Sequence, residues 1–165
     1  GGSGSNGIAG IVSPANSLVG WRSSDGIGSS GITLLNNGNY VVQSPLWNSF
    51  TASDVGAVTW GDGTNGTSGE VSSANSLVGS TANDQAGSCG LLGLSNGNYV
   101  VGSCTWDNAA AVDAGAVTWA NGIGGISGVI SSTNSLVGST ANDKVGSSGI
   151  TQLNNVNYVW QRSLW

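Results

Sequence analysis

The chain has 165 residues, 29 of them glycine, and only 7% are charged. With Lys+Arg at 3, Asp+Glu at 8 and no histidine, it cannot neutralise a run of phosphates, so nucleic acid is excluded as an expected partner. The same composition excludes nucleophile-histidine catalysis and leaves no ligand set for a metal or other cofactor.

Glycine costs a helix about 1 kcal/mol per position relative to alanine. Its frequency therefore predicts an all-β chain of short strands joined by Gly and Asn turns. The longest apolar runs, such as Ile8 to Val12, fall far short of the roughly 20 residues of a membrane-spanning helix. The N-terminal GGSGSNG has neither an initiator Met nor an apolar signal core, so any targeting segment has been removed or lies outside it. The chain reads as a piece of something longer.

The string NSLVG begins at Asn16, Asn75 and Asn134, a period of 59 residues. Asp25, Asp84 and Asp143 keep that period, as do Tyr40, Tyr99 and Tyr158, and Trp47, Trp106 and Trp165. Uninterrupted spacing means that each copy is one structural unit meeting its neighbours in the same way. The expected division is residues 1–24 as the outer strand of a split blade, 25–83 and 84–142 as two whole repeats, and 143–165 as the start of a split blade.

Within one copy the sequence predicts four strands: Gly90 to Leu94, Asn98 to Ser103, Gly115 to Trp119, and Gly128 to Gly138 with a break near Ser132. A four-stranded antiparallel meander of this length is the size of a β-propeller blade. Asn96-Gly97 and Asn37-Gly38 are the preferred central pair of a two-residue type I′ hairpin. That turn would set Leu94 opposite Tyr99, Leu92 opposite Val101 and Cys89 opposite Cys104. A Cys89–Cys104 disulfide is therefore expected, and with it a secreted or cell-surface location. The alternative is a pair of buried thiols in a reducing compartment. Ser30 with Pro45, and Ser148 with Ser163, take these places in the other copies.

The order of motifs in LVGSTANDQAGSCGLLGLSNGNYVVGSCTWDNAAAVDAGAVTW resembles the FG-GAP repeats of integrin-α-type β-propellers. Val101 to Cys104 match the segment that gives the family half its name, Val41 to Pro45 retain its proline, and Gly115 to Trp119 match the third strand. The resemblance implies propeller-like blades. Two departures matter. The family's phenylalanine is Ile27, Ala86 or Val145 here, so the knob between blades is smaller. Its calcium loop is Leu94-Ser95-Asn96-Gly97-Asn98 here, with no carboxylate for a hard cation, so calcium is not carried over.

Two carboxylate pairs, Asp107 with Asp113 and Asp54 with Asp62, leave a glycosidase reading open, although Asp54 and Asp113 sit just before a strand, where Asp forms turns. Asp25, Asp84 and Asp143 are expected to bond the loop backbone ahead of the first strand. Exposed tryptophan can stack on sugar rings, which makes Trp21, Trp47, Trp106, Trp160 and Trp165 candidate glycan contacts. Repeat-locked tryptophan also serves as core between blades; Trp21 and Trp160, which replace Ser80 and Val101 of another copy, break the repeat.

Three blades do not close a ring that usually has 4 to 8. Unpaired blade edges then invite association with further copies as a ring or filament. The reading is a non-enzymatic structural or adhesive module, with a lectin-like glycan binder as the alternative.

Overall fold

The computed structural model describes residues 7–161. Among them there is no helix, and thirteen short strands form several sheets. In chain order they are β1 Leu18–Val19, β2 Ile32–Leu34, β3 Tyr40–Ser44, β4 Ala57–Gly61, β5 Gly69–Glu70, β6 Leu77–Val78, β7 Leu91–Gly93, β8 Tyr99–Ser103, β9 Ala116–Ala120, β10 Gly128–Val129, β11 Leu136–Val137, β12 Ile150–Gln152 and β13 Tyr158–Trp160.

Each full copy is an antiparallel meander: β2-β3-β4-β6 in one and β7-β8-β9-β11 in the next. The central strands are rich in β-branched and aromatic residues, which suit a pleated packed surface. All five residues of β8 are buried, so this strand is covered on both faces and shows no polar alternation. Successive copies are joined by two-residue parallel pairings. Gly69–Glu70 runs beside Leu18–Val19, and Gly128–Val129 beside Leu77–Val78.

The fourth strand expected over Gly128 to Gly138 is thus two strands with different partners. Its first part, β10, pairs with the preceding copy, and its second, β11, pairs with β9 of its own. Between them lies a turn built by the recurrent Asn-Ser of NSLVG. Asn134 Oδ1 accepts from Ser131 N, and its amide donates to the Val129 carbonyl. Asn16 and Asn75 make the same bonds in their copies. The following serine meets a β-strand threonine, Thr59 with Ser76 and Thr118 with Ser135, each at 2.7 Å.

The hairpin register also differs from the expected one. Leu91 pairs with Val101, Leu92 with Val100 and Gly93 with Tyr99. Leu94 N donates to Asn98 O and Gly97 N to Leu94 O, while Gly97 has φ +86° and Asn96 is not among the positive-φ residues. One left-handed residue rather than two makes a three-residue loop with a glycine bulge instead of a type I′ turn. A second irregularity follows, where Cys89 N donates to Gly102 O and Gly102 N donates to Gly90 O. Cys89 thus lies beside Gly102 and not opposite Cys104. The Cys89–Cys104 disulfide nevertheless forms, across a Cα–Cα distance of 5.7 Å that lies inside the range such bridges span.

The core runs across the copies. Leu35, Val41 and Val58 of one cluster with Tyr99, Val101, Trp106 and Ala116 of the next. Ala86 and Val145, which share a repeat position with Ile27, are buried, and Ile27 packs against a second cluster. The Gly56 backbone closes directly on the Ala86 amide, and Gly115 on that of Val145. The approach is backbone to backbone, with Ala86 N and Val145 N donating to the Val55 and Ala114 carbonyls.

Candidate functional site

The most distinctive local chemistry lies at the junction between copies. The Gly122 carbonyl of one copy accepts from Asn37 Nδ2 and Asn39 Nδ2, each at 2.8 Å, and from Trp60 Nε1 at 2.9 Å, all three from the copy before. Trp60 lies in β4, one residue before its end, and lays its side chain on Gly125, whose φ of +70° and missing Cβ leave the room; the Tyr99 hydroxyl is beside it. Tyr99 is fully buried, and this burial pushes its phenol up to about 12. The Ile126 backbone acts weakly in the other direction, and the hydroxyl has no partner in hydrogen-bond geometry.

The same cradle is open one copy earlier. Tyr40, Gly63 and Gly66 stand where Tyr99, Gly122 and Gly125 do. With Ile32, Leu34 and Asp62 they line a cavity of about 740 Å³, and no tryptophan fills it among the described residues. Asp62 shapes the rim by accepting from Asn65 Nδ2, Thr64 N and Asn65 N, and these bonds hold its carboxyl below the usual carboxylate range. At the other end Trp119, the counterpart of Trp60, is 44% exposed. A second cavity of about 510 Å³ lies there, lined by Leu136, Val137, Gly138, Val145 and Trp160 among others.

The candidate glycan contacts separate into groups. Trp47 and Trp106 are 6% and 4% exposed and belong to the cores, so neither has a free face for a sugar ring; they are corrected to packing residues. Their indole N–H groups are buried without a partner. Trp160 ends β13, half-buried against the core of Leu94, Val100, Val117 and Val145. Trp165 lies outside the described residues.

Trp21 is on the surface. It lies 4.6 Å from the Phe50 ring, centroid to centroid, under the Arg22 guanidinium at 4.1 Å, and its Nε1 donates to the Asn48 carbonyl. Sequence reasoning missed Phe50, which is 82% exposed; its signal is that Phe50 is the only phenylalanine and Ala109 stands in its place one copy later.

The recurrent aspartates order loops. Asp25 Oδ2 accepts from Trp21 N and Arg22 N, Asp84 Oδ2 from Ser80 N and Thr81 N, and Asp143 Oδ2 from Ser139 N and Thr140 N. Asp54 and Asp113 take positive φ values of 50° and 53°, a turn conformation, and Asp113 also meets Lys144 at 3.7 Å. Asp107 accepts from the Asp113 amide through Oδ1 and turns Oδ2 towards the Thr81 hydroxyl at 3.2 Å, which lies closer, at 2.6 Å, to Asp84 Oδ1. Among the described residues no cluster of three or more His, Cys, Asp or Glu side chains could hold a metal ion, and no helix is long and apolar enough to cross a membrane.

No curated protein and no solved structure significantly matches the chain. A family model does, three times in tandem, over residues 2–29, 34–88 and 93–147. The three matches follow the same repeat as the strand pairings and loop aspartates of this chain, and the chain belongs to the family described as "Repeat of unknown function (DUF5650)".

Proposed function

We propose that the chain is a non-catalytic structural or adhesive module of a secreted or cell-surface protein, whose copies act as calcium-free, FG-GAP-like propeller blades and self-associate into a ring or filament. The observation that carries this reading is the junction itself. Each copy completes its neighbour through a two-residue parallel pairing, and where both copies are complete the Trp60–Gly122 contact adds to it. Such an interface works equally well between copies on one chain or on two. The disulfide supports an oxidising location. Light scattering on the isolated chain over a concentration series tests it: mass rising above 16.2 kDa is expected, and a dispersed monomer at every concentration contradicts it.

A second reading, a lectin-like module, is favoured by the Trp21–Phe50–Arg22 cluster, which offers exposed rings beside a cation. A glycan array separates the two. Binding that disappears in a folded Trp21→Ala variant favours the lectin.

A further inference from the structure

Resting on that reading of self-association, we infer that Gly7 to Val12 of one chain docks on the Trp119 and Leu136–Val137 edge of a second copy, Gly10 beside Leu136 and Ile11 beside Val137. The pairing is the one the chain already makes twice within itself. Gly69 and Gly128 open strands β5 and β10 with φ +116° and +108°. Their amides donate to the Ser17 and Ser76 carbonyls, and the amides of Val71 and Ile130 donate to those of Val19 and Val78. Gly10 holds the corresponding place, 59 residues ahead of Gly69, and already has φ +125°. Among the described residues, Gly10 to Val12 pair with no strand.

Burial differs between these surfaces and their counterparts. Val71 and Ile130 are 3% and 2% exposed, whereas their counterpart Val12 is 71% exposed. On the accepting side Leu77, covered by β10, is fully buried, while its counterpart Leu136 is 52% exposed. The outer edge of β11 has no strand beside it among the described residues, and the cavity of about 510 Å³ opens there.

The same docking completes the tryptophan contact. Trp60 packs on Gly125 at φ +70°, and Gly7, which corresponds to it, has φ +64° with open space around it. Trp119 would lie on Gly7 as Trp60 lies on Gly125. Donor and acceptor are different surfaces of one chain, so the contact is head-to-tail.

Native mass spectrometry of wild type, Val12→Asp, Leu136→Asp and an equal mixture of the two variants tests this. Both positions are exposed in the single chain, so both variants should fold, as a circular-dichroism melt would verify; Trp119→Asp is a second acceptor variant. Wild type should associate, and each aspartate variant should do so about a hundredfold more weakly, because a carboxylate replaces a buried apolar group. The mixture should recover a two-chain species and nothing larger, since each variant keeps one intact surface. Val12→Ile, with the side chain that Ile130 supplies, should associate like wild type. If wild type and Val12→Asp associate equally, or the mixture recovers no pair, this docking is wrong while self-association stands. A wild type that stays monomeric overturns both.

Discussion

The Asn48 side-chain amide donates to the buried Asp25 carboxylate at 2.7 Å, and one copy later Asp107 occupies the place of Asn48 beside Asp84. The backbone bond is kept, with Asp107 N donating to Asp84 Oδ1, but a donor has been exchanged for a like charge. Asp107→Asn should therefore stabilise the second copy by about 1 kcal/mol, seen as a higher thermal midpoint at neutral pH. A lower midpoint would show that the Thr81 hydroxyl, shared between Asp84 and Asp107, outweighs the repulsion. The glycosidase reading meets the same variant: hydrolysis of a glycoside that vanished in Asp107→Asn would support it.

Val156 takes φ +62° at the hairpin position where the other copies have Gly38 at +88° and Gly97 at +86°. A β-branched residue is strained there. Val156→Gly should stabilise the third hairpin by about 1 kcal/mol after the glycine entropy is set against it, and slow amide exchange at Leu153, which donates to Asn157 O. The reverse change, Gly97→Val, should cost about 2 kcal/mol, because a Cβ there would also press at 3.0 Å on the Asn37 side chain. Unchanged exchange in Val156→Gly would contradict the strain.

Tyr99 gives alkaline unfolding a defined window. Its phenol is raised to about 12 by burial, so the folded state favours the neutral form. That contribution is fully present below the unfolded value near pH 10 and is lost as pH rises towards 12, a change of the order of 2 kcal/mol. Tyr99→Phe keeps the ring and removes the titration, so its stability should fall less between those pH values. Urea denaturation at several pH values checks this, and parallel curves for the two proteins would contradict it.

The copies and the all-β character were legible because they depend on a fixed period and on local composition, and the cysteine pair because a short hairpin brings Cys89 and Cys104 within reach of each other in either register. The loop role of Asp25, Asp84 and Asp143 was equally legible, since a short side chain bonds amides three and four residues back. The hairpin register was not, because Asn-Gly serves both a two-residue turn and the three-residue loop seen here, and only the backbone angle at Asn96 separates them. Nor was the division of Gly128 to Gly138 between two copies, since a parallel pairing between Gly128 and Leu77 has no signature within either segment. The triple acceptor at Gly122 was invisible for a related reason: a carbonyl is present at every residue. Trp47 and Trp106 could have been exposed or buried by period alone, and packing decided it.

One junction is used repeatedly along the chain, and a comparison of Trp60→Ala with Trp119→Ala in the dilute, monomeric chain measures its contribution. The two tryptophans share a repeat position, but only Trp60 has the Gly122 carbonyl to donate to. Urea unfolding should show Trp60→Ala less stable by about 2–3 kcal/mol and Trp119→Ala by less than about 1 kcal/mol. Equal losses would mean that each tryptophan serves its own copy alone, and would contradict a structure held together from copy to copy.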